Sequence, residues 1–144
     1  MLFRSNENVE EARIRGVEAG YSLTGTAWRA RLEAWMHDPE NRSTGERLLR
    51  RAREGASLAV QRRFARAELG LDVLASGDRK DFGFPAQLTL DGYVLVGAAA
   101  RYDVTDAWSV QARVDNALDE EYQLANGFNT AGRSFTLATR YRFR

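Results

Sequence analysis

A chain of 144 residues and 16.2 kDa has room for one modest core or for a short run of membrane hairpins. Its 21 basic residues, of which Lys80 is the only lysine, balance 20 acidic ones, so the chain as a whole exerts no net pull on nucleic acid or anionic lipid. Cysteine is absent, which excludes disulfides, thiolate metal sites and a cysteine nucleophile, and no apolar run approaches the roughly 18 residues of a spanning helix.

Residues 1–6 lack the apolar core of a signal peptide, so an exported protein is expected to have lost its beginning. From there the chain alternates with period two, the mark of a strand with two unlike faces. A first, impure strand is expected at 13–23. In the second, Trp28, Ala30, Leu32, Ala34 and Met36 oppose Arg29, Arg31 and Glu33. A third is readable at 56–64, and in the fourth Ala67, Leu69, Leu71 and Val73 oppose Arg66, Glu68, Gly70 and Asp72. The fifth, at 93–102, is diluted by Gly97 and alanines. In the sixth, Trp108, Val110, Ala112 and Val114 oppose Ser109, Gln111 and Arg113. In the last, at 133–143, Phe135, Leu137, Tyr141 and Phe143 oppose Ser134, Thr136, Arg140 and Arg142.

These lengths cluster near the roughly 9 to 11 residues that cross a bilayer as a tilted strand, above the usual 5 to 6 of globular strands. The connections alternate too: tight at 24–25, long at 37–54, tight near 65, long at 76–91, short at 103–106 and long at 117–132. Short turns on one side and long loops on the other are the habit of outer-membrane barrels, with the turns periplasmic. If the apolar faces point outward, Tyr21, Trp28, Phe64, Tyr102, Trp108, Tyr141 and Phe143 gather beside the short turns as an aromatic girdle. An ordinary sandwich with aromatics near its edge is the competing arrangement. Against it, Arg29, Arg31, Glu33, Glu68, Asp72, Gln111, Arg113, Asp115, Arg140 and Arg142 on the other faces would need buried partners in a dry core, whereas a wet lumen removes that cost. Arg13, Arg15 and Arg62 fall on the nominal outward face and resist the scheme.

Little in the sequence points to catalysis. His37 stands alone beside Asp38-Pro39 in an expected loop, and the adjacent pairs Glu10-Glu11 and Glu120-Glu121 point to opposite sides of an extended chain. Neither a metal site, a cofactor loop nor a catalytic constellation is expected. The run 46–53, rich in arginine, could form a short basic amphipathic helix, yet Gly55 stops it and no aromatic platform accompanies it, so nucleic-acid binding is not expected.

The segment Val114-Asp115-Asn116-Ala117-Leu118-Asp119-Glu120-Glu121-Tyr122 resembles the N-L-F-D-x-x-Y element of TonB-dependent outer-membrane receptors. Residues 129–137 and 140–143 are similar to their last loop and closing aromatic strand, and 12–18 and 48–52 to matching regions of the cobalamin transporter branch. The resemblance implies an all-β chain, with residues 1–144 as the C-terminal part of a barrel of about 22 antiparallel transmembrane strands whose lumen a separate N-terminal plug fills. About seven strands are expected here, without plug or TonB-binding segment, and Met1-Leu2-Phe3 looks like the end of another strand. The implied function is import of cobalamin, a siderophore or a similar metal chelate with TonB-supplied energy, and the chain alone is not expected to transport. Implied partners are outer-membrane lipid and lipopolysaccharide, the ligand, the TonB system through the missing region, and the assembly machinery through the last strand. Arg144 after Phe143 departs from the family's aromatic terminus. Phe82, Phe84, Tyr122, Phe128 and Asn129, in the long loops, are the candidate ligand contacts. A self-contained small barrel of about eight strands, structural or adhesive, is the alternative.

Overall fold

The structure, a computed structural model, describes residues 11–143. Eleven strands follow one another: β1 (Ala12–Thr24), β2 (Trp28–Asn41), β3 (Glu54–Arg63), β4 (Ala67–Ser76), β5 (Arg79–Asp81), β6 (Leu88–Leu90), β7 (Tyr93–Asp103), β8 (Trp108–Asp115), β9 (Gln123–Ala125), β10 (Phe128–Asn129) and β11 (Ser134–Tyr141). Seven of them form one antiparallel sheet in the order β1-β2-β3-β4-β7-β8-β11, and these are the strands the alternation predicts. The short pairs β5-β6 and β9-β10 are hairpins inside the second and third long loops. Among the described residues there is no helix. The expectation for Met1-Leu2-Phe3 lies outside the described residues, as do Glu10 and Arg144.

Register turns the separate alternations into one surface. Leu23 pairs with Ala30, Ala30 with Val60, Val60 with Leu71, Leu71 with Ala98, Ala98 with Val114 and Val114 with Phe135. One apolar row therefore crosses all seven strands, and a one-residue shift of β2 or β8 in either direction would drop a charged side chain into it. Beside the short turns at 25–27, 64–66 and 104–107, the outward aromatics are all exposed, and every strand of the sheet except β4 has one on it or just past its end. With no second layer behind them among the described residues, these side chains are built to meet an apolar solvent. Placing Leu71 at mid-band predicts that Leu71→Ser costs about 2 kcal/mol, whereas Gln61→Ser on the opposite face costs close to nothing. Urea midpoints of a complete barrel carrying this chain, refolded in lipid vesicles, would check this; equal losses at both positions contradict the assignment of faces.

The three outward arginines are accommodated individually. Arg13 forms an ion pair with Glu40, and Arg15 lies opposite Asp38 in the β1-β2 register, although the ion pair of Asp38 is with Arg53. Both sit on the long-loop side of Val17 and Met36, where the apolar stripe of these strands has ended. Arg62 lies over the rings of Trp28 and Phe64, 4.7 and 4.8 Å from their centroids, at the short-turn end.

Most charges on the opposite face are paired, with Arg29, Arg140 and Arg142 lacking a carboxylate partner among the described residues. Arg31 reaches Glu33 at 2.9 and 2.6 Å, Arg63 reaches Glu68 at 3.1 Å, Arg101 reaches Asp103 at 2.8 Å and Arg113 reaches Asp115 at 2.6 Å. Arg113 also lies 3.5 Å from Asp72, two strands away. The intervening Gly97 makes that reach possible, because a Cβ there would overlap the Asp72 carboxylate. Half-exposed pairs of this kind contribute little stability each, but they offset much of the positive charge on a water-facing wall.

Two expectations are corrected. His37 is not in a loop: β2 continues to Asn41, placing His37 opposite Gly16 with its Nε2 2.9 Å from Glu18 Oε1. The alternation stops at Met36, but pairing continues because Ala12 to Gly16 of β1 extends beside it. The basic run 46–53 is not helical either. Arg47 bridges back to Glu40, and Arg50 takes φ 59°, a left-handed conformation no helix tolerates. The sheet is open, with β1 and β11 at its two edges, so the described residues do not close a small barrel.

Candidate functional site

The three long loops leave one end of the sheet, at 42–53, 77–92 and 116–133, and they are fastened together. The fastening centres on Asp81, the last residue of β5, which has no exposed surface. Its Oδ1 accepts from Arg50 Nε of the first loop at 2.7 Å and from the backbone N–H of Phe82 at 2.8 Å. Its Oδ2 accepts from the backbone N–H of Asn126 in the third loop at 2.5 Å. Burial alone would raise the Asp81 carboxyl, but the donors from Asn126, Arg50 and Phe82 outweigh it and hold the group below the ordinary carboxylate range. One carboxylate thus joins three segments far apart in sequence.

Other contacts follow the same pattern. Arg50 donates its N–H to Lys80 O at 2.7 Å, and Asn126 Nδ2 donates to Phe82 O at 3.1 Å. Arg47 donates to Asp78 Oδ2 at 2.9 Å and also to the Asp78 carbonyl. Arg79, 7% exposed, donates to Ser76 Oγ at 2.9 Å and lies 5.0 Å over the Tyr93 ring, which in turn stacks against Tyr122 at 4.4 Å.

The Asn-to-Tyr element is a loop brace. Asn116 takes φ 49° and Asp119 φ 58°, left-handed positions that these two residue types tolerate best after glycine. Asn116, 8% exposed, accepts from Glu120 N–H at 2.9 Å and donates to Glu120 O at 2.9 Å and Ala131 O at 3.4 Å. Asp119 accepts the N–H of Arg133 at 2.7 Å, tying the end of the loop to its start. The spacing that carries the resemblance is thereby accounted for by hydrogen bonding.

Of the candidate ligand contacts, Tyr122 and Asn129 are brought together. Both line a cleft of about 670 Å³ between the β6-β7 turn and the last loop, together with Asp91, Asp119, Glu120 and Glu121. Phe82 is exposed beneath the Arg50 guanidinium, 5.7 Å away, and Phe128 is exposed on the neighbouring hairpin. Phe84 is 99% exposed and lines no part of that cleft. Chemically, the cleft offers hydrogen-bond acceptors and one aromatic face, and no cluster of three metal-ligating side chains occurs among the described residues. Sequence reading missed Asp81, Arg50 and Asn126, since no spacing connects them.

The family described as TonB dependent receptor-like, beta-barrel, matches residues 3–117. A vitamin B12 transporter of Vibrio cholerae is 32% identical over 139 residues, covering 94% of this chain and 23% of the relative. That of Photobacterium profundum is 30% identical over 138 residues, covering 94% and 22%. Among solved structures, the ferripyoverdine receptor of the Pseudomonas aeruginosa outer membrane superposes with a TM-score of 0.79 at 22% identity, over 90% of this chain and 19% of that one. The siderophore receptor PiuA of Acinetobacter baumannii gives 0.80 at 19% identity, over 90% and 22%. The chain thus spans less than a quarter of the relatives it matches, and its open sheet is part of the wall of an outer-membrane barrel. With its alternating faces, its girdle and a family match over most of its length, the chain belongs to the TonB-dependent receptor β-barrel family.

Proposed function

We propose that residues 1–144 are the C-terminal wall of a TonB-dependent transporter that imports a scarce ligand, and that the chain does not transport by itself. The observation that supports this best is the fusion of three long loops into one body at a single end of an amphipathic sheet, with a cleft and exposed aromatics on it. In this reading the loops are extracellular and the short turns periplasmic. The ion-paired face lines the lumen, and the apolar face meets lipid and lipopolysaccharide. Unpaired edges of β1 and β11 are costly in lipid, so further strands complete the wall. β11, with Tyr141 and Phe143, is the strand offered to the assembly machinery, and TonB acts on a region outside these residues. The role is transport rather than bond-making chemistry.

Cobalamin is the favoured ligand, supported by the vitamin B12 transporters among the relatives, with siderophores and other metal chelates as the remaining class. Tyr122 and Asn129 are the contacts the cleft supports best; Phe82, Phe84 and Phe128 would engage a bulky ligand only from the outer rim. The test is a chimera in which this chain replaces the matching segment of the Vibrio cholerae transporter. Cyanocobalamin binding by outer membranes should be retained, uptake should require TonB, and Tyr122→Ala should weaken binding about tenfold. Affinity that stays the same when all three loops are exchanged for unrelated ones removes these residues from the site.

A further inference from the structure

We propose that Arg62, Trp28 and the foot of the β1-β2 hairpin form a binding site for one glycerophospholipid of the periplasmic leaflet, distinct from general lipid contact along the belt. Arg62 lies on the lipid-facing side, paired across the sheet with Trp28 and Leu69. Among the described residues no carboxylate stands within ion-pair distance of it, and its guanidinium lies instead over the rings of Trp28 and Phe64. Arg13, by contrast, has Glu40. A cation held at the edge of an apolar belt by two rings is placed rigidly and left without an anion. A phosphodiester meets that need, since the planar guanidinium fork matches its oxygens in pairs.

The second observation is a groove of about 440 Å³ on the same side of the sheet, lined by Leu23, Gly25, Thr26, Ala27, Trp28 and Ala30. Trp28 is common to both features, so phosphate and acyl chain would be held one on each part of the same indole. The leaflet follows from position. The site adjoins the short turns, which the reading above makes periplasmic, and the lipid of that leaflet is glycerophospholipid rather than lipopolysaccharide. The inference rests on that orientation.

The test uses the chimera described above in phosphatidylcholine vesicles, with every tryptophan except Trp28 replaced by phenylalanine so that Trp28 alone fluoresces. Chain-brominated phosphatidylglycerol should quench Trp28 with about threefold preference over brominated phosphatidylcholine, a preference expected to vanish in Arg62→Gln and to fall in Arg62→Lys, which keeps the charge but not the fork. In a second background, Trp28→Phe keeps a ring beneath Arg62 while Trp108, on the same girdle but away from Arg62, alone fluoresces, and no preference is expected there. An undiminished preference in Arg62→Gln overturns the site, as does displacement of the brominated lipid by lipopolysaccharide in place of phosphatidylglycerol. Absence of quenching by either lipid has a different meaning: it sinks the membrane orientation itself. Quenching by phosphatidylcholine in Arg62→Gln shows that the variant still inserts.

Discussion

Replacing Asp81 with alanine is expected to release the three long loops from one another at a cost of roughly 3 to 5 kcal/mol. The carboxylate has no exposed surface, and its loss leaves Arg50 Nε and the N–H groups of Phe82 and Asn126 without their acceptor. Arg50 is 49% exposed and can turn to water, which places the effect toward the lower end. The two backbone amides belong to exposed turn residues that water also reaches once the loops part, which acts in the same direction. Amide exchange at Phe82 and Asn126 should speed up together while the sheet amides keep their protection; an unchanged rate at Asn126 would show that the third loop docks without Asp81. Asp81→Asn is the milder variant, because it keeps the shape and one acceptor oxygen but removes the charge.

The same carboxylate sets a pH dependence. Its folded value lies below the ordinary one, so ionisation favours the docked loops. That contribution is fully present above the unfolded value of about 3.9 and is lost as pH falls through the lower folded value. The loop body is therefore expected to stay closed at pH 5 and to open only in strong acid. Exchange at Asn126, corrected for its intrinsic pH dependence, is the measurement; opening between pH 5 and 6 would assign the switch to another group.

Asn116→Ala carries the second large effect, about 3 kcal/mol. Two contributions add: a buried amide giving up its bonds to Glu120 and Ala131, and a β-carbon without hydrogen-bonding capacity held at φ 49°. Asn116→Gly separates them, because glycine accepts the left-handed backbone freely but restores none of the bonds. Its loss should be smaller than that of alanine by about 1 kcal/mol. Thermal unfolding in detergent would compare the two, and equal losses would mean that backbone conformation contributes nothing there.

The alternation of Trp28 to Met36 or Trp108 to Val114 was enough to define strands and faces, because period two is a local property of extended chain. The asymmetry of connections was equally visible, and so was the Asn-to-Tyr element. The end of β2 was not visible, because Asp38 and Pro39 break the pattern while the pairing with β1 that keeps them extended comes from another segment. Arg62 likewise looked misplaced until register set it against Trp28.

What the sequence determined by itself is thus the sheet: its strands, its two faces, its girdle and its kinship, all encoded in neighbours two to ten residues apart. Only the tertiary structure decided how the loops meet. Arg50, Asp81 and Asn126 carry no shared spacing, and the energy that selects their arrangement exists only once burial removes water from one carboxylate and leaves it three donors. The same holds for Asp72 and Arg113, which meet across Gly97 only because the strand between them lacks a side chain there.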